Sequence, residues 1–127
     1  MKERARGEIM AVVTIPSPVT ETAWLTMPDL VEVLGEPLGR VRRLLDESQL
    51  IGSKRHGAFA VPAVFIMDGR PLPSLRGTII VLHDVGFSDD EAIDWMLTLD
   101  DTIGVAPIEA LRAGRKSEVR RVAQTLA

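Results

Sequence analysis

At 127 residues, with 46% apolar and 26% charged side chains, the chain has an ordinary globular composition and room for one compact domain or two very small ones, which excludes disorder throughout. A formal charge of −3 excludes a general polycation, so affinity for nucleic acid has to come from a local patch. The absence of cysteine excludes a disulfide framework, a thiol nucleophile and Cys-ligated zinc, and suits a reducing cytoplasm.

Lys2, Arg4 and Arg6 precede the apolar stretch Ile9 to Ile15, which Pro16 closes. The stretch has no small-residue cleavage pattern and is far shorter than the ~20 residues a membrane span needs. A mixture of Pro, Ser and Thr follows from Pro16 to Thr22 with no period, so residues 1–22 read as a mobile arm. The β-branched content of Ile9 to Ile15 leaves a strand open as an alternative.

From Trp24 the pattern tightens. Thr26 is placed as an N-cap, Pro28 stands in the first turn, Asp29 suits the positive end of the helix, and Leu30, Val33 and Leu34 share a face. This predicts a short helix ending at Gly35. After Gly35-Glu36-Pro37, a second helix carries Leu38, Val41, Leu44 and Leu45 on one stripe, with Arg43 nearly opposite and Arg40 and Arg42 at its borders. Leu50-Ile51 and Ala58 to Val61 then read as two short strands around the basic tip Gly52-Ser53-Lys54-Arg55-His56-Gly57. Residues 23–67 thus have the outline of a winged helix-turn-helix domain.

Asp68 to Pro73 reads as a turn-rich connection, and residues 75–127 as a C-terminal helical domain. Leu75, Ile79 and Leu82 share a face that stops at Gly86; Ser88-Asp89-Asp90-Glu91 is a capping box before Ile93, Trp95, Met96 and Leu97. Pro107 opens a helix stopped by Gly114, and a last one runs from about Ser117 through Val119, Val122 and Leu126. The fold class is therefore mainly α with a small β-hairpin wing. Asp84 to Glu109 holds eight carboxylates and no Lys or Arg, and reads as a solvated, capped face rather than a partner surface or a metal site. Arg112, Arg115, Lys116, Arg120 and Arg121 crowd the end as a surface helix; extending a DNA surface or meeting another subunit are the alternatives.

Between Arg40 and His56 five Lys or Arg stand against Asp46 and Glu47, so a net positive segment lies inside an acidic chain. A helix fits the major groove, where Arg reaches guanine O6 and N7, and a basic hairpin can grip flanking phosphate. The expected DNA contacts are Arg40, Arg42 and Arg43 on the helix and Lys54, Arg55 and His56 on the wing. Catalysis finds no support: there is no Walker A loop, GxGxxG, HExxH or Ser elbow, and His83 and Asp84 point about 100° apart on a helix. His83 reads as a core or boundary residue, and Trp24 and Trp95 as core rather than base-stacking residues. No cofactor, metal or membrane partner is expected.

Leu25 to Gly35, Arg40 to Leu45 and the Gly-rich hairpin resemble the MerR and excisionase type of winged helix-turn-helix. Val61-Pro62-Ala63-Val64-Phe65, Leu82 to Phe87 and Trp95 to Thr98 extend the likeness over nearly the whole chain after the arm. There it resembles a family of small actinobacterial DNA-binding proteins with a C-terminal helical domain. The resemblance implies double-stranded DNA as partner, a Ser/Thr protein kinase acting on the arm, where Thr14, Thr20 and Thr22 stand beside Ser17, and a cytoplasmic, nucleoid-associated transcriptional regulator. The chain departs from the motif in Val31, bulkier than the usual small residue, and in Pro37-Leu38-Gly39, which lacks the hydroxyls expected to meet a phosphate. Ala92 to Leu97 and Pro107 to Leu111 faintly resemble the C-terminal domain of certain antitoxins. The alternative function is accordingly a protein-interaction adaptor, or an antitoxin-like protein with its partner on the C-terminal helices and a structural helix-turn-helix.

Overall fold

β1 (Trp24–Thr26) runs directly into α1 (Met27–Leu34), and the junction is a capping box. The computed structural model describes residues 23–127; the arm, with Thr14, Thr20, Thr22 and the stretch Ile9 to Ile15, lies outside the described residues. At the junction the Asp29 N–H donates to the Thr26 hydroxyl at 3.5 Å, and the Thr26 N–H donates to the Asp29 carboxylate at 3.0 Å. Such a cap contributes about 1 kcal/mol by satisfying donors that the first turn leaves unpaired. Gly35 ends the helix at φ 65°, in the left-handed region, with its N–H on the Val31 carbonyl at 3.0 Å. That turn sets α2 (Leu38–Asp46) against α1.

Val41 and Leu44 are buried on the inner face of α2, and Leu45 packs on the same core. Leu38 does not join them as the stripe predicts: at the first turn it stands out of the core and is 42% exposed. The wing also differs from a two-stranded hairpin of its own. β2 (Ala60–Pro62) pairs antiparallel with β1, placing Thr26 opposite Ala60 and Trp24 opposite Pro62. The other arm of the wing touches β2 through one bridge, Ser53 to Ala60, whose two backbone hydrogen bonds are both 2.9 Å. Leu50 and Ile51 are drawn into the core instead of forming a ladder.

A 3₁₀ turn (Ala63–Phe65) buries Phe65 completely. The expected turn-rich connection is in fact a second hairpin, β3 (Ile66–Met67) with β4 (Arg70–Pro71). Its two-residue turn has Asp68 at φ 56° and Gly69 at φ 74°, the type I′ geometry that Asp-Gly favours because it matches the twist of the paired strands.

The C-terminal half contains α3 (Leu75–Asp84), α4 (Asp89–Leu97), α5 (Pro107–Arg112) and α6 (Lys116–Gln124). Ser88 and Glu91 close the expected capping box on α4, with bonds of 2.9 and 3.2 Å. Packing of α3 on α6 and of α4 on α5 brings Leu75, Ile79, Leu82, Ile93, Met96 and Val119 to full burial. These join Leu30, Val41, Leu50, Val61 and Phe65 in one continuous apolar cluster, each large side chain contributing about 1.5–3 kcal/mol by leaving water. The winged module and the C-terminal helices therefore share a core. Among the described residues no helix is long and apolar enough to cross a membrane.

Candidate nucleic-acid interface

α2 presents Arg40, Arg42 and Arg43 to solvent because Val41 and Leu44 take its inward positions. None of the three makes an ion pair or side-chain hydrogen bond with a described residue. The helix opens as its sequence implies: Pro37 caps it without a side-chain bond, and the first internal bonds run from the Arg40 and Val41 N–H groups to the Pro37 carbonyl. The N–H groups of Leu38 and Gly39 precede that ladder, so an anion at this end would meet backbone donors rather than hydroxyls. Gly39 faces open space, with no atom of a described residue within 4 Å of where a Cβ would stand.

The wing tip turns at Lys54 to Gly57, closed by the Gly57 N–H on the Lys54 carbonyl at 2.9 Å. Its three basic side chains have separate surroundings. Lys54 is exposed. Arg55 reaches across to α4, donating to Asp94 at 2.6 Å and to the carboxylate of Asp90 at 2.8 Å. Its guanidinium also lies 5.3 Å from the Trp24 ring centroid, and His56 meets the same ring edge-on at 4.8 Å. Burial opposes the charge on Arg55, but hydrogen bonds to Asp94 and Asp90 outweigh it and raise its pKa. The Ser53 hydroxyl and the Arg55 guanidinium in turn hold the Asp90 carboxyl below its ordinary value.

Three expectations change here. Trp24 belongs to the basic tip in space, although its sequence neighbours are neutral. The acidic block is not only a solvated face: Asp90 and Asp94 hold the wing, and Asp89 binds the His83 imidazole at 2.8 Å. His83 is therefore at the boundary rather than in the core, and its hydrogen-bond partner is Asp89, not the adjacent Asp84.

The basic C-terminus is largely occupied within the fold. Arg112 donates to the carbonyls of Val64 and Ile66 at 2.9 and 2.8 Å, Arg115 to that of Ile103 at 3.0 Å, and Arg120 to that of Ser74 at 3.2 Å. Arg76 similarly caps the end of α2 through the Glu47 carbonyl at 3.0 Å. Arg70, absent from the sequence-based set, stands exposed on β4 and lines a cleft of about 500 Å³ with Arg40, Glu36 and Gln49. The Asp68-Gly69 doublet was the available signal for it, since it fixes a tight hairpin beside that arginine. Among the described residues no group of His, Asp and Glu is arranged to hold a metal ion.

Comparison with known proteins covers both halves. Residues 17–66 match the family model of the DNA-binding protein Rv2175c, winged helix-turn-helix domain, and residues 72–127 match that of the Rv2175c C-terminal domain of unknown function. The chain is 32% identical over 114 residues to the DNA-binding protein Rv2175c of Mycobacterium tuberculosis (strain H37Rv), across 80% of this chain and 78% of the relative. The fold superposes on the NMR structure of Rv2175c with a TM-score of 0.76 at 30% identity, covering 100% of this chain and 99% of that one.

Proposed function

Because this chain belongs to the Rv2175c family of small actinobacterial winged helix-turn-helix DNA-binding proteins, we propose that it binds double-stranded DNA and regulates transcription. In this reading α2 enters the major groove with Arg40, Arg42 and Arg43, and Lys54 meets the flanking backbone. Arg55 and His56 orient the wing through Asp90, Asp94 and Trp24, leaving Lys54 as its outward cation. The observation that carries the reading is the set of three α2 arginines, exposed and without a partner among the described residues, beside a wing that its own chain holds in place. The domain plan is an arm (1–22), a winged module (23–67) and a helical unit (75–127) that braces the module through their common core. Phosphorylation at Thr14, Thr20 or Thr22 adds about −1.5 to −2 charges each and weakens DNA binding by competing for the same arginines.

The test is DNA binding at several salt concentrations for the native chain and for Arg40→Ala, Arg43→Ala and Lys54→Ala. The native affinity falls steeply with salt, and each lost phosphate contact lowers the slope by about 1. An arginine that reads guanine costs about 1–3 kcal/mol and relaxes discrimination at one base pair. Absence of binding, or binding indifferent to salt and to all three substitutions, overturns the reading in favour of an adaptor with a structural helix-turn-helix.

A further inference from the structure

The described arginines fall into two sets. Arg55, Arg76, Arg112, Arg115 and Arg120 each bond a carboxylate or a backbone carbonyl of their own chain. Arg40, Arg42, Arg43, Arg70 and Arg121 bond none among the described residues. An arginine that positions no part of the fold is available to an external anion, and four of these five stand on α2 or on the hairpin beside it.

The placement of that hairpin gives Arg70 a direction. At 100° per residue, Arg40 and Leu44 lie on one flank of α2, and Leu45 and Asp46 on the other. Leu45 and Asp46 line a groove with Gly52 and Phe59 at the base of the wing. Arg40 and Leu44 line the opposite cleft with Gly69 and Arg70 of the second hairpin. The proposed recognition helix therefore lies between two hairpins. A helix of about 10–12 Å diameter fills a major groove about 12 Å wide, so elements on its two flanks meet the two sugar-phosphate backbones that border the groove.

The second hairpin is also rigid enough for the role. Its turn is the tight Asp68-Gly69 kind, and a Cβ on Gly69 would stand 3.6 Å from the Val33 carbonyl, so the tip rests against the end of α1. Behind the tip, the Leu72 N–H donates to the Phe65 carbonyl at 2.9 Å and Arg112 holds the Ile66 carbonyl. Little freedom of the hairpin backbone is lost when Arg70 binds. Glu36 lines the same cleft and makes no ion pair with Arg40 or Arg70, so it tempers the positive field without neutralising either cation.

We infer that the β3–β4 hairpin is a second wing, with Arg70 gripping a DNA backbone phosphate on the flank of α2 opposite Lys54. This rests on the DNA-binding reading above. Its contact is to phosphate and carries no sequence information.

Arg70→Ala and Arg70→Lys are compared with the native chain and with Arg40→Ala on the preferred DNA and on unrelated duplexes, across a salt series. Arg70 is exposed and unpaired among the described residues, so circular dichroism and melting temperature stay at native values. Arg70→Ala weakens binding several-fold by the same factor on every duplex and lowers the salt slope by about 1, while Arg70→Lys keeps the slope. If the native chain binds and Arg40→Ala weakens it, but Arg70→Ala leaves affinity and slope unchanged, the second wing is refuted and the function stands. A loss confined to one DNA sequence also refutes a phosphate contact. If the native chain binds no DNA, both readings fall together.

Discussion

Arg112 joins the two halves of the chain at a place where a mutation can be given a magnitude. It projects from α5, and its Nη1 donates to the Val64 carbonyl at 2.9 Å and the Ile66 carbonyl at 2.8 Å, both on the segment that follows the wing. Ile66 and Pro71 are a non-hydrogen-bonded pair, the next ladder bond running from the Leu72 N–H to the Phe65 carbonyl, so the Ile66 carbonyl points away from β4 and takes its bond from this guanidinium. A hydrogen bond from a charged donor contributes about 1.5–3 kcal/mol, and the site is half-buried, so water replaces part of what is lost. Arg112→Met keeps most of the aliphatic stem and removes both donors, and is expected to cost about 2–4 kcal/mol. A typical domain has only about 5–15 kcal/mol in total, and the melting temperature should fall by on the order of 10 °C. Urea unfolding followed by far-ultraviolet circular dichroism and by tryptophan fluorescence measures it, because one tryptophan, Trp24, lies in the first half and the other, Trp95, in the second. Coincident, lowered transitions are expected, since one apolar cluster runs from Leu30 to Ala123. A loss below about 0.5 kcal/mol, against the range expected for charged hydrogen bonds, would refute the bracing role, as would two separated transitions in the native chain.

Gly52→Ala should destabilise the wing, because an added Cβ would stand 2.6 Å from the Ala60 carbonyl oxygen and against the Phe59 ring. Heteronuclear NMR should show shifts concentrated at Ser53, Phe59 and Ala60, and native shifts there would contradict the close approach. The hold of α4 on the wing should depend on pH in one direction. The Asp90 carboxyl is held below its ordinary value of 3.8, so the stabilisation is complete above 3.8 and is lost as pH falls through the lower folded value. The Asp90 side-chain carboxyl resonance should accordingly titrate with a midpoint below 3.8; a midpoint above 3.8 would mean that Arg55 does not hold this carboxylate.

Legibility followed the range of the interaction. Caps and turns act over three or four residues, and Thr26 with Asp29, Ser88 with Glu91, and Gly35 could all be placed from neighbouring letters. Helical periodicity likewise marked Val41, Leu44, Ile79 and Leu82 as buried. It overreached at Leu38, where a first turn projects beyond the core it begins to cover, so spacing alone could not distinguish an inward from an outward position. The strand Trp24–Thr26 was hidden for a related reason: three residues show no alternation, and their partner Ala60–Pro62 lies more than thirty residues away.

Charge was the least legible property, because composition counts cations but not what they face. Arg55 is separated from Asp90 by 35 residues and from Asp94 by 39, so the basic wing and the acidic block read as independent features although they bind each other. The same blindness made the basic C-terminus resemble a free surface, whereas Arg112, Arg115 and Arg120 are bound to backbone carbonyls. Removing the internally occupied arginines leaves, among the described residues, Arg121 on α6 and one spatially coherent group: Arg40, Arg42 and Arg43 on one helix and Arg70 beside it. An acidic protein needs no excess of positive charge to meet DNA on those terms. It needs its surplus carboxylates to neutralise cations elsewhere, and Asp90 and Asp94 do so at the wing, where the ion pair fixes a hairpin next to the face left positive.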